Sequence, residues 1–298
     1  MTWRTIDKVW VGLTALAALI IVAMLVIILG DITIHGWQKL SLEFLSQAPR
    51  GGMTEGGIFP AIYGTTLLVI LMTIFVVPLG VLVAIYFSEY ADRASWLYRI
   101  SRSAVDNLAG VPSIVFGLFG LGFFVKGVGS TIDTAFFGGN LTFGQPAIIW
   151  ASLTLAVLTL PVVIVSVEEA LRAVPQSHRN ASLALGATKS QTVFRVVLPD
   201  ALPGVLTGGI LAVSRGAGEV APILFVGAAY FLPHLPTKLN DQFMELGYHI
   251  FVLTTQSPDV ELTKPLLYAT VFVLLALTFL LNFVAVLIRT RIRVGRGR

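Results

Sequence analysis

The chain has 298 residues, of which 56% are hydrophobic and 12% charged, with a formal net charge of +4. A water-soluble domain carries roughly 25% charged residues, so this composition excludes one and points to a protein dissolved in lipid. Zero cysteines exclude disulfides, thiolate metal sites and cysteine nucleophiles.

A helix crosses a bilayer with about 20 apolar residues. Six segments have that character: 10–30, 61–87, 105–125, 146–167, 203–229 and 265–288. None alternates as a membrane barrel strand does. The expectation is an all-α integral membrane protein, one domain over 1–298, with six transmembrane helices. The first span lacks a small-residue cleavage site and is expected to remain in the mature protein. Of the twenty lysines and arginines, fourteen fall at the termini and in loops 88–104 and 168–200; five fall in the opposite loops, and Arg215 lies within a span. The positive-inside bias then places both termini and loop 168–200 in the cytoplasm. The C-terminal arginines follow a span directly and read as an anchor favouring anionic lipid, with no nucleic-acid partner.

In chain order, residues 31–60 form a glycine-rich outer loop, and Pro112 with Ser113 opens a kink near the inner end of the third span. Residues 126–145 and 230–264 are expected outside, the latter long enough for a short re-entrant or surface helix. Glycines cluster in the third and fifth spans, where they permit close helix packing. His35, His178, His234 and His249 share no ligand spacing and read as solvated loop residues, so no metal or cofactor is expected.

Loop 168–200 is punctuated as two short helices. Pro175 opens the first and Gly186 ends it by adopting a left-handed backbone. Thr188 and Gln191 form a capping box for the second, which Pro199 is expected to close. In the fifth span, Arg215 lies about 18 Å in from Pro203 along a helix rising 1.5 Å per residue, near mid-bilayer. A lone arginine there costs on the order of 3 kcal/mol. Glu219, four residues on, neutralises it in part. One reading makes the pair a packing device; the other makes Arg215 a guanidinium fork for an oxyanion on a translocation path, with Ser113 and Thr154 as lining hydroxyls.

Loop residues Asn180, Ala181, Ser182, Gly186, Leu198 and Pro199 resemble the coupling loop of ABC importer permeases, with Asn180 where glutamate is usual. Together with Gly110-Val-Pro-Ser-Ile-Val-Phe-Gly117 and Arg215-Gly-Ala-Gly-Glu-Val-Ala-Pro222, it resembles the phosphate-specific ABC importer permease of the PstA type. The resemblance runs from about Gly56 to Leu281; Val220 replaces the usual threonine. It implies the type I ABC importer permease fold and a subunit of the bacterial inner membrane. It also implies a second permease of the PstC type, two copies of a cytoplasmic ATPase and an extracytoplasmic phosphate-binding protein. The chain lacks a phosphate-binding Gly-Lys-Ser/Thr loop and is expected to hydrolyse nothing itself. Sulfate and molybdate remain alternative cargoes. An ion-driven transporter would need carboxylates beyond Glu219, and an intramembrane hydrolase a histidine within a span.

Overall fold

The computed structural model describes residues 3–51, 55–257 and 260–296, so Arg298 of the orientation bias lies outside the described residues. Helix α1 (Trp3–Trp37) leads to α2 (Leu42–Ser46) and a two-residue antiparallel ladder, β1 (Pro49–Arg50) with β2 (Glu55–Gly56). α3 (Phe59–Ile85) carries Pro60 in its first turn, where a proline's missing N–H has no helical partner to lose. It widens into π turns over Tyr86–Tyr90.

α4 (Trp96–Leu108) is followed by a break, then by α5 (Ser113–Phe119), π turns over Gly120–Gly129, and α6 (Ser130–Phe136). α7 (Ile148–Ala173) ends before Pro175, which opens α8 (Gln176–Ala184). Next come α9 (Lys189–Thr192), π turns over Val193–Val197, and α10 (Leu198–Gly216); α11 (Leu246–Thr255) and α12 (Val260–Arg296) complete the chain. Among the described residues, six helices are long and apolar enough to cross a membrane: Asp7–Trp37, Phe59–Tyr90, Ser113–Phe136, Ile148–Ala173, Lys189–Gly216 and Thr263–Arg291.

The fourth span is the hub. Two thirds of its apolar window (67%) is buried, against none of the first span's and 6% of the sixth's. α3 and α10 flank α7 through positions too small to hold it off. Gly80 lies on Val163, Gly204 on Ala170, and Gly208 on Ser166. α1 and α12 pack together at the periphery, where Gly36 fits against the Tyr268 carbonyl and Trp37 meets Phe272 edge-on.

Two spans depart from their expected limits. The third runs outward to Phe136 instead of ending near 125. Its Asp133 does not end it, because the carboxylate accepts backbone N–H groups of Thr142, Phe143 and Gly144 at 2.7–2.9 Å and is sealed inside. The fifth begins at Lys189 and stops at Gly216, not at 229. Pro199 does not close a helix either: α9 runs without interruption into α10. A proline within a helix clashes with the carbonyl four residues back, and the wide π turn at Val193–Val197 opens the backbone at that point.

Near the outer ends of α3 and α12, a second apolar cluster gathers Phe44, Ile58, Met244, Leu246 and Leu253. Buried Glu245 caps α11 there, accepting from Gly247 N–H at 2.8 Å and Tyr248 N–H at 2.6 Å. The Leu246 N–H donates to Thr65 Oγ1 of α3 at 2.9 Å. His249, expected in solvent, is 2% exposed, and neither ring nitrogen has a partner among the described residues. Burial pushes the Glu245 carboxyl up to about 7 and the His249 imidazole down to about 4.

The two groups bias stability in opposite directions. Glu245 binds its proton more tightly when folded, so its contribution is lost as pH rises from 4.5 to about 7. His249 resists protonation when folded, so its contribution is lost as pH falls from 6.5 to about 4. In His249→Leu the Glu245 slope is unopposed. Its melting temperature in detergent is expected to fall as pH rises from 4.5 to about 7, more steeply than wild type; parallel profiles would contradict this assignment.

Candidate functional site

The fifth span breaks in the middle of the membrane. Gly204 faces Ala170 and Gly208 faces Ser166, an antiparallel register that sets Gly216 level with residue 158 of α7, about 15 Å from its outer end at 1.5 Å per residue. Gly216 also packs against Met72, the central residue of α3. Beyond Gly216 the chain runs outward in turns. The Ile223 carbonyl accepts from Val226, Gly227 and Ala228, and the Val226 carbonyl accepts from Ala147 at 2.8 Å.

The inner half of the third span packs on the chain beyond that break. Gly110–Pro112 separates α4 from α5, so Pro112 and Ser113 mark a full interruption and not a kink. A side chain at Gly117 would meet the Ala221 and Pro222 carbonyls at 3.0 Å, and one at Gly120 would meet Thr154 and Val226. The two sequence motifs of these spans are therefore packed on each other.

Arg215 occupies the last turn of α10, where a cation suits the exposed carbonyls. Glu219 is not on that helix; it reaches back across the Gly216–Gly218 turn, with Nε–Oε1 at 3.4 Å. The Arg215 side chain is 41% exposed and that of Glu219 22%, so the pair is not sealed in the core. Ser113 is half-buried at the start of α5. Thr154 is fully buried and donates to the Trp150 carbonyl at 2.7 Å, which takes it off any path. Sequence reading missed Asn282 of α12, whose Nδ2 donates to Ser214 Oγ at 3.3 Å beside Arg215. A lone amide in an apolar run was the available signal.

At the other end of α10, α8 and α9 form the bracket that the punctuation implied. Gly186 has φ +82° and ends α8 with paired bonds, Gly186 N–H to the Leu183 carbonyl and Ala187 N–H to the Ser182 carbonyl. Thr188 and Gln191 make both bonds of the capping box. Ser182 Oγ meets Thr192 Oγ1 at 2.9 Å, and His178 Nδ1 meets Asp200 Oδ2 at 2.8 Å, fastening α8 to α9 and α10. Arg179 donates to Glu89 Oε1 at 2.8 Å and to the Leu171 and Val174 carbonyls, anchoring α8 to the ends of α3 and α7. Asn180 is exposed and its side chain bonds, among the described residues, to Gln176 of its own helix, while Ala181, Leu183 and Leu185 are exposed. Leu198 and Pro199 open α10 and are half-buried.

Residues 76–294 match the family described as binding-protein-dependent transport system inner membrane component. The chain belongs to that family. The permease is 33% identical over 275 residues to a probable ABC transporter permease protein, YqgI, of Bacillus subtilis (strain 168), covering 88% of each chain. It is 34% identical over 263 residues to the phosphate transport system permease protein PstA of Yersinia pestis, covering 88% of this chain and 82% of that one. Its fold is that of solved ABC importer permeases. A chain of the bacterial alginate ABC transporter superposes with a TM-score of 0.63 at 14% identity, over 96% of this chain and 95% of that one. A chain of the MetNI methionine ABC transporter gives 0.54 at 19%, over 79% and 94%. The permease is thus a multi-pass inner-membrane subunit of an ABC importer, working with an ATPase and a binding protein.

Gly117→Val would force α5 away from the chain at Ala221 and Pro222. Overpacking of this kind costs about 1–3 kcal/mol. The variant is expected to insert but to melt several degrees below wild type in detergent; an unchanged melting temperature would show that the contact at 3.0 Å yields freely.

Proposed function

We propose that this chain is one half of the translocation pathway of an ATP-driven importer of inorganic phosphate, with Arg215 as its anion-contacting group. The observation that carries the reading is Arg215 itself, a 41%-exposed guanidinium at mid-membrane depth beside an interrupted helix. Lipid cannot cover such a group, because intramembrane charges face a bundle interior or a water-filled path. The open side of Arg215 therefore faces a second, related permease of the PstC type across an aqueous passage. A guanidinium fork suits a tetrahedral oxyanion. Glu219 at 3.4 Å weakens that attraction, as passage requires. Ser113 lines the same level from the other broken span. Phosphate is the cargo because the Yersinia relative is named for phosphate transport.

The termini and the α8–α9 bracket lie in the cytoplasm, where the bulk of the cations fall. Two ATPase copies engage α8, whose tip presents Leu185, 90% exposed, as an apolar knob. Exposed Asn180 and Ala181 belong to its docking face, while Ser182 turns inward to Thr192 and ties that face to α9. ATPase closure moves α8, and because α9 and α10 are one rigid helix through Leu198 and Pro199, the displacement arrives at Gly216 and Arg215. This subunit hydrolyses nothing; a periplasmic phosphate-binding protein delivers cargo to the outer face.

The test is ATP-dependent uptake of labelled phosphate by vesicles holding this chain with its partner permease, ATPase and binding protein. Arg215→Gln is expected to assemble fully and to lower uptake roughly tenfold, the loss of one charge-assisted contact. Normal uptake by the variant, or none by wild type, would overturn the site or the cargo respectively. At Gly186 an added Cβ meets nothing within 4 Å, so Gly186→Val acts only through its φ of +82°. It is expected to leave ATP hydrolysis and assembly intact while uptake falls; undiminished uptake would remove the coupling role.

A further inference from the structure

Beyond the inner ends of α3 and α7, on the face that carries α8 and α9, lies an open cavity of about 590 Å³. Four cations line it, Arg93, Arg172, Arg179 and Lys189, against a single acid, Glu89. Arg179 and Glu89 satisfy each other at 2.8 Å and, at 11% exposure each, form the closed floor. Of the other three cations, Arg93 and Lys189 have no carboxylate partner among the described residues, and Arg172 shares one. Arg93 makes no ion pair among the described residues. Arg172 is 51% exposed and 3.6 Å from Glu168, a carboxylate already engaged by Arg102. Lys189 stands 5.1 Å above the Tyr90 ring, a contact that orients its ammonium without cancelling its charge. Gln176, the first residue of α8, also lines the cavity, and that helix has no side-chain cap, so its free N–H groups add positive potential.

Exposed Tyr86, Tyr90 and Trp96 stand close by in sequence, at the end of the second span and the start of α4. Such aromatics sit at headgroup level. A cavity at that level with two unpaired cations and a third that shares its carboxylate is matched by a multiply charged anion with several acceptor oxygens. We propose that it binds a phosphate group, presented by an anionic lipid headgroup or by free inorganic phosphate. The bound group would brace Lys189 of α9 against Arg172 of α7 and Arg93 of the adjoining loop. It would thus set the stiffness of the bracket through which α8 moves α10. The lipid source is independent of the phosphate-import reading; the free-anion source would place cargo at its exit and rests on that reading.

The full chain, purified in neutral detergent, is titrated separately with dioleoylphosphatidylglycerol and with labelled inorganic phosphate, with phosphatidylcholine as control. Native mass spectrometry reads the lipid adducts, and equilibrium dialysis reads the anion. Wild type is expected to bind at least one probe saturably, and the combined variant Arg93→Gln, Arg172→Gln, Lys189→Gln to bind it roughly tenfold more weakly or worse, as three lost charges predict. Arg99→Gln, an exposed cation of α4 outside the cavity, is expected to behave as wild type. Saturable binding of phosphatidylglycerol alone identifies the headgroup, and of inorganic phosphate the free anion. Should the combined variant fail to fold, Arg93→Gln alone is measured and a several-fold loss is expected. Equal binding by variant and wild type, binding of neither probe, or engagement of these cations by ATPase carboxylates in the assembled complex would overturn the site. Loss of phosphate binding in Arg215→Gln but not in the combined variant would overturn it while leaving the import reading standing.

Discussion

A chain that leaves the helix inside a bilayer has no water to satisfy the backbone groups it frees, so protein must cover them. That constraint governs this structure. Past Gly216 the fifth span gives up its helix halfway across the membrane, and its outer half survives because α5 and α7 enclose it. Gly117 and Gly120 bring the third span close enough to cover the Ala221 and Pro222 carbonyls and Val226. The Ala147 N–H, at the start of α7, takes up the Val226 carbonyl at 2.8 Å. Each contact needs backbone proximity, which explains glycine where a bulkier residue would improve lipid packing.

From the break follow the position and exposure of the charges. A continuous helix would have carried Arg215 and Glu219 as an ordinary pair on one face. Ending at Gly216 leaves Arg215 on a helix terminus that favours it and swings Glu219 onto a turn, so the pair spans the interruption. Ser214 and Asn282 extend the polar edge to α12. The surrounding surface at this level is apolar, with Ile114, Val115 and Leu118 exposed on α5. An apolar margin around a charged centre suits a subunit interface enclosing a passage.

The same helix that ends at mid-membrane begins at the α8–α9 bracket. Continuity of α9 and α10 through the π turns puts the bracket and the Arg215 terminus on one helix. Arg179 and Glu89, both nearly buried, hold α8 to α3 and α7; breaking a buried pair by removing one partner costs about 3–5 kcal/mol. The exposed His178–Asp200 pair and the neutral, part-buried Ser182–Thr192 bond contribute less each. The outer end is held differently. Sealed carboxylates at Asp133 and Glu245 gather backbone N–H groups there and fasten loops to helix ends.

What the sequence determined by itself is what local periodicity and punctuation encode: six apolar spans, the membrane class, the left-handed glycine at 186 and the capping box at Thr188. The motif residues also made the family legible, because their spacing survives in one dimension. Only the tertiary structure decided that the fifth span stops at Gly216, that the helix breaks fully before Ser113, and that the third span packs on the chain beyond Gly216. Hydropathy cannot register a helix end inside an apolar run, since Ala217–Val226 is as greasy as the helix before it. Pairs such as Arg179–Glu89, 90 residues apart, and the burial of His249 depend on which helix passes which. The reason is physical: in a bilayer, apolar residues are at ease against lipid or protein alike, so hydrophobicity places a helix in the membrane without choosing its neighbours.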